Sequence, residues 1–128
     1  MKRLLLDTHA FLWWIAGDEK LGLDARGLIA DSENEIHLSA VSVWEISIKR
    51  ELGKLKAPDD IEAIVLRCGF TPLSIALFHA QQAGGLPMHH KDPFDRMLIA
   101  QSQAEGLSIV TVDEAFGAYG VRLVDASQ

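Results

Sequence analysis

Strand-like and helix-like segments alternate along this chain from end to end, and that alternation restricts its fold more than any other feature. Arg3–Leu6 is a short apolar run that reads as a buried strand. Thr8–Ala16 carries Phe11, Leu12, Trp14 and Ile15 at roughly helical spacing, with Gly17 as the stop. Asp24–Ala30 predicts a second short helix, Glu35–Ala40 a second strand, and Ser42–Leu52 an amphipathic helix ending at Gly53. Pro58-Asp59-Asp60 opens another helix, running to about Arg67. The strand Phe70–Ser74 contains Pro72, which places it at or near a sheet edge. Ile75–Ala83 is helical and stops at Gly84-Gly85, and Leu86–Lys91 is a histidine-rich loop. The helix started by Asp92-Pro93 runs to Glu105 and stops at Gly106. Leu107–Val112 is the cleanest buried strand, Asp113–Phe116 a helical turn, and Val121–Val124 the last strand. This order implies βαβ crossovers, and so an α/β fold with a mainly parallel sheet and helices on both faces. A chain of 128 residues fits one such domain, spanning 1–128.

Composition narrows the class of function. With 48% hydrophobic and 23% charged residues the chain has an ordinary globular balance, which argues against disorder. Its apolar runs are too short for a membrane span, so no membrane association is expected. The start, Met1-Lys2-Arg3-Leu4-Leu5-Leu6, imitates an export signal until Asp7 breaks the run. The lone Cys68 has no cysteine to pair with, for a disulfide or for zinc, and is expected to be a small buried hydrophobe. A reduced, cytoplasmic protein follows as the expectation. The net charge of −6 argues against a general nucleic-acid binder. Two local groups soften that objection: Lys49, Arg50, Lys54 and Lys56, and then His89, His90, Lys91 and Arg96.

In sheets of this kind active sites collect beyond the carboxyl ends of the strands, so acids at strand ends carry weight. Asp7 follows the first strand directly, where it also suits the N-cap of the next helix. Glu45 lies in Ser42-Val43-Trp44-Glu45, which spells a capping box. In Asp92-Pro93-Phe94-Asp95, Asp92 fits the cap and Asp95 the first turn, leaving Asp95 as the inward-facing acid. Asp113 ends the strand before the final turn and fits a cap as well. Each acid thus has a structural explanation, but four of them are expected on one rim of one sheet. Carboxylates crowded in this way repel one another unless a cation joins them. Oxygen ligands suit Mg2+ or Mn2+, which activate water and stabilise charge on a phosphate. Thr111, two residues before Asp113, has two roles open to it, a bond to a neighbouring carboxylate or packing in the strand. No histidine has a partner at zinc-ligand spacing, and the loop pair His89-His90 reads as solvated.

At this point four stretches taken together resemble the PIN-domain nucleases, and within them the VapC-like toxins of bacterial toxin–antitoxin pairs. They are Leu4-Leu5-Leu6-Asp7-Thr8-His9, Ser42-Val43-Trp44-Glu45-Ile46, Asp92-Pro93-Phe94-Asp95-Arg96-Met97-Leu98-Ile99-Ala100 and Thr111-Val112-Asp113-Glu114-Ala115-Phe116. The resemblance implies a five-stranded parallel sheet and a Mg2+- or Mn2+-dependent endoribonuclease acting on RNA. It places Asp7, Glu45, Asp95 and Asp113 in the family's acidic quartet, as metal-binding and catalytic residues. Asp7 and Asp95 are the firmest of these ligands and Asp113 the least secure. Asp92 is a further acid that reaches the metal or caps its helix, and Arg96 and the Lys49–Lys56 group are placed as phosphate contacts. The resemblance also implies a cognate antitoxin and a homodimer. Adjacent Trp13 and Trp14 cannot share one core direction. One of them, or Trp44, is therefore expected on an apolar patch that binds the partner, the alternative being that both pack on different walls of the core. Two other readings stay open on the residues alone: a metal-dependent phosphatase or phosphotransferase on a similar sheet, and a non-enzymatic binding module whose acids are only helix caps.

Overall fold

The computed structural model describes residues 1–128 and contains five parallel strands in the order β3-β2-β1-β4-β5. The strands are β1 (Arg3–Leu6), β2 (Glu35–Ser39), β3 (Thr71–Leu73), β4 (Ser108–Thr111) and β5 (Leu123–Asp125). Between them run α1 (Thr8–Ala16), α2 (Leu23–Ala30), α3 (Ala40–Glu51), α4 (Ile61–Arg67), α5 (Leu77–Gly85) and α6 (Pro93–Glu105). A 3-10 segment, Glu114–Tyr119, links β4 to β5.

Both faces of the sheet are covered, and the pleat divides its side chains between two cores. Leu4 and Leu6 join Ile36, Leu38 and Val110 against α1, α2 and α4. Leu5 and Ile109 point the other way, onto Val41 of α3, Leu98 and Ile99 of α6, and Phe116. Burying a leucine stabilises a fold by about 2 kcal/mol. Three consecutive leucines, all at most 1% exposed, therefore make β1 the strand on which both layers depend.

The chain reverses direction across the sheet between β1 and β4: β2 and β3 lie on one side of that line, β5 on the other. A crevice opens there at the carboxyl ends of the strands. Register pairs Leu6 with Val110, and the Asp7 N–H donates to the Val110 carbonyl at 3.1 Å. Asp7 and Thr111 are thereby brought together at the mouth of the crevice.

The sequence expectations hold at the level of elements and shift at their ends. Pro72 sits in the edge strand as anticipated, in a β3 of only three residues. Helix α3 begins two residues before Ser42, because Ser39 caps it by accepting the Val41 N–H at 3.0 Å. Helix α5 continues through Gly84 and Gly85 instead of stopping at them. Cys68 is exposed, contrary to expectation, because it caps the short helix α4 on its outer side. Trp13 and Trp14 both pack against the larger core, whereas Trp44 is 60% exposed.

Candidate active site and metal centre

Three of the acids at the rim, Asp7, Asp92 and Asp113, are helix caps, each through Oδ1. Asp7 caps α1 through Oδ1, which accepts the Ala10 N–H at 2.8 Å. Its Oδ2 accepts the hydroxyl of Thr111 at 2.6 Å. Asp113 caps the 3-10 segment through Oδ1, on the Ala115 N–H at 2.9 Å, and its Oδ2 lies 2.9 Å from His90 Nε2. Asp92 caps α6, Oδ1 accepting the N–H groups of Phe94 (2.8 Å) and Asp95 (3.2 Å). Asp95, in the first turn of α6, caps nothing, and its Oδ2 lies 3.1 Å from His90 Nε2.

Glu45 reaches the rim differently. Since Ser39 caps α3, the capping-box role expected for Ser42 and Glu45 is replaced by a buried bond network. Thr8 donates its hydroxyl to Glu45 Oε1 at 2.6 Å and lies 3.0 Å from Ser42 Oγ. Lys49, one turn on, donates to Oε2 at 2.5 Å.

Charge in the crevice is under strain. Burial pushes the Asp95 carboxyl up to about 7; the neighbouring Asp92 adds to this, as do Glu45 and Asp7, while His90 opposes it. The Asp7 carboxyl is also held above its ordinary range, first by burial. The Thr111 hydroxyl, the Ala10 N–H and the nearby His9 pull it back, and Glu45 pushes it further up. The Lys49 ammonium is pushed up by its bond to Glu45 and by the charges of Glu45, Asp92 and Asp95, against the opposing effect of burial. Asp95 thus senses Asp92, Glu45 and Asp7, and Asp7 senses Glu45.

This donor set fits a hard divalent cation. It offers several carboxylate oxygens, and burial together with neighbouring carboxylates disfavours the ionised forms of Asp7 and Asp95, a cost that a cation relieves. One nitrogen belongs to the group, because ligating atoms of His90, Asp95 and Asp113 lie within 4.8 Å of one another.

Two sequence expectations change here. Arg96, expected at a phosphate, is buried and its terminal nitrogens are taken by backbone carbonyls. Its Nη1 donates to the carbonyls of Pro87 (3.0 Å) and His90 (3.1 Å), and its Nη2 to those of Ala83 (2.9 Å) and Leu86 (2.8 Å). It is the clamp of the 86–91 loop. Within the basic group Lys49 faces the acids, Arg50 donates to the Pro58 carbonyl at 2.7 Å, and Lys54 and Lys56 are exposed. His90, read from sequence as solvated, is instead held at the site. Its place two residues before the cap Asp92 was the only signal that pointed to it. The role of Thr8 is not legible in the sequence, because its partners Ser42 and Glu45 lie more than thirty residues away in the chain.

A five-stranded parallel sheet in this order, with acids at its crevice, matches a known family. The PIN domain family model fits residues 4–121, and the chain belongs to that family. The chain is 28% identical over 120 residues to Ribonuclease VapC22 of Mycobacterium tuberculosis, covering 88% of each protein. It is 40% identical over 70 residues to Ribonuclease VapC16 of the same organism, a stretch that spans 50% of each. Among solved structures it superposes on a DNA-bound VapBC from Salmonella typhimurium with a TM-score of 0.71 at 20% identity, covering 98% of both chains. VapBC2 from Rickettsia felis, bound to a promoter DNA fragment, gives 0.69 at 15% identity, covering 95% of this chain and 97% of the other. These likenesses establish the fold.

Proposed function

We propose that this protein is a divalent-metal-dependent endoribonuclease and the toxin of a toxin–antitoxin pair. The observation that carries the reading is the convergence of Asp7, Glu45, Asp95 and Asp113 on one crevice, with Asp7 and Asp95 both held above the ordinary carboxylate range. Asp7, Asp95 and Asp113 hold the cation and Glu45 completes or orients its surroundings. Mg2+ or Mn2+ bound there lowers the pKa of water and stabilises the charge that develops on a phosphate. Thr111 fixes the rotation of the Asp7 carboxylate, and Thr8 with Lys49 fixes that of Glu45. Asp92 acts as the α6 cap and adds negative potential behind Asp95. Lys49, at the edge of the acids, is the basic residue placed to meet the RNA backbone.

The partner reading includes an antitoxin and a homodimer. Trp44, Leu66, Leu77 and Phe78 are exposed apolar side chains that such contacts cover. No helix is long and apolar enough to cross a membrane, and a cytoplasmic location belongs to the same proposal. The test is cleavage of RNA with and without Mg2+ or Mn2+. Asp7→Asn and Asp95→Asn are each expected to lower the metal-dependent rate at least about a hundredfold. Undiminished cleavage by both variants overturns the assigned chemistry, and turnover of a small phosphoester with RNA left intact favours a phosphatase.

A further inference from the structure

His90 is the best-held side chain at the site for which the acid quartet has no role. Its backbone is fixed from two directions. Tyr119 Oη accepts the His90 N–H at 2.7 Å and donates to the Pro87 carbonyl at 2.7 Å. Arg96 holds the His90 carbonyl together with three others of the same loop and its approach. The ring leans on Phe116, with centroids 5.7 Å apart. Arg96 and Tyr119 thus deliver one imidazole to one place.

The hydrogen bonds also assign the tautomer. The Asp92 backbone N–H donates to His90 Nδ1 at 3.2 Å, so Nδ1 carries the lone pair and the ring proton is on Nε2. That proton is donated to Asp113 Oδ2 at 2.9 Å, and Asp95 Oδ2 lies 3.1 Å from the same nitrogen. A ligand to a metal needs its lone pair on Nε2. Moving the proton to Nδ1 turns it toward the Asp92 N–H, donor against donor.

We propose that His90 is a resident competitor of the cation: its Nε2–H occupies the position between Asp95 and Asp113 that a divalent ion takes, and the imidazole leaves when the ion is bound. The inference rests on these acids being the cation site. Lys49 on Glu45 is the matching internal donor on the other side of the crevice. Because the loop backbone is clamped, release is a rotation about the His90 side-chain torsions and leaves residues 86–91 in place. The consequence is a weakened, tunable affinity: the ring offsets part of the repulsion around Asp95, and the ion binds only by displacing it.

Mn2+ titration of the full chain at pH 8, followed by the paramagnetic resonance of the free ion, reads this directly. His90→Ala is expected to bind Mn2+ about tenfold tighter than wild type, since the hydrogen bond to Asp113 and the close contact with Asp95 no longer compete. His90→Gln, which keeps a donor, is expected to fall between the two. In wild type, imidazole 15N spectra with saturating Mg2+ are expected to show Nε2 still protonated. Weaker or unchanged Mn2+ binding by His90→Ala overturns the competitor role, as does loss of the Nε2 proton on Mg2+ binding, which marks a ligand. A wild-type chain that binds neither ion overturns the cation site as well, which separates that failure from a failure of the His90 role alone.

Discussion

At the scale of single residues, the acids are distinguished by what surrounds them. Asp95 has an ordinary value of 3.8 and a folded value of about 7. Below the lower value the folded and unfolded states are protonated alike. Between the two the folded protein keeps a proton that the unfolded chain releases, so the metal-free protein loses stability as pH rises through this window, and above it the loss is complete. Asp95→Asn removes the charge and is expected to flatten that slope, stabilising the metal-free protein at pH 8 by about 2 kcal/mol. Denaturant unfolding in a chelator at pH 5 and pH 8 checks the sign; a wild-type protein more stable at pH 8 than at pH 5 contradicts it. Thr111→Val tests the other firm acid. It leaves Asp7 Oδ2 without its hydroxyl donor, which is expected to raise the Asp7 carboxyl further and to cost about 1–3 kcal/mol of stability. Carboxyl 13C titration by NMR reports the first effect and thermal unfolding the second.

At the scale of elements, the loop 86–91 shows what the sequence did and did not disclose. The strands were legible because a strand buried on both faces reads as an unbroken apolar run, as Leu4-Leu5-Leu6 and Ile109-Val110 do. The α6 start was legible because Asp92-Pro93 is a local signal that needs no tertiary partner. Helix α3 was placed two residues late because Ser39 and Ser42 are both credible caps, and only the end of β2 decides between them. The loop was illegible because its conformation is set by Arg96 and Tyr119 from other elements, and no local code announces four carbonyls converging on one guanidinium. Arg96→Ala is accordingly expected to cost about 3 kcal/mol or more. Arg96→Lys is expected to recover little, because an ammonium lacks the planar fork that reaches several carbonyls. Hydrogen exchange is the discriminating measurement: protection should fall first at residues 86–91, and an Arg96→Lys loop as protected as wild type contradicts the clamp.

At the scale of the whole molecule, the crevice joins both halves of the sheet. Asp7 follows β1, Asp113 follows β4, Glu45 lies in α3 and Asp95 in α6, so the repulsion that Asp7, Glu45 and Asp92 exert on Asp95 opposes folding of the entire domain. Ion binding at the proposed site is therefore expected to act as a global stabiliser. Millimolar Mg2+ or Mn2+ is expected to raise the melting temperature at pH 8 by several degrees, with a smaller rise at pH 5 where protons already relieve the repulsion. Equal shifts at the two pH values, or none, contradict the coupling.

The division of labour inside Asp7 has a practical outcome. One of its oxygens folds a helix and the other serves the crevice. Asparagine keeps the first as a carbonyl and replaces the second with an amide that Thr111 still meets as an acceptor. Under the proposed function, a disarmed version of the molecule is separated from the active one by a single functional group, with its outer contours intact. If the proposed toxin activity holds, host cells that tolerate only the disarmed form should still make it in quantity, and any protein that recognises the outer surface should bind it as it binds the original.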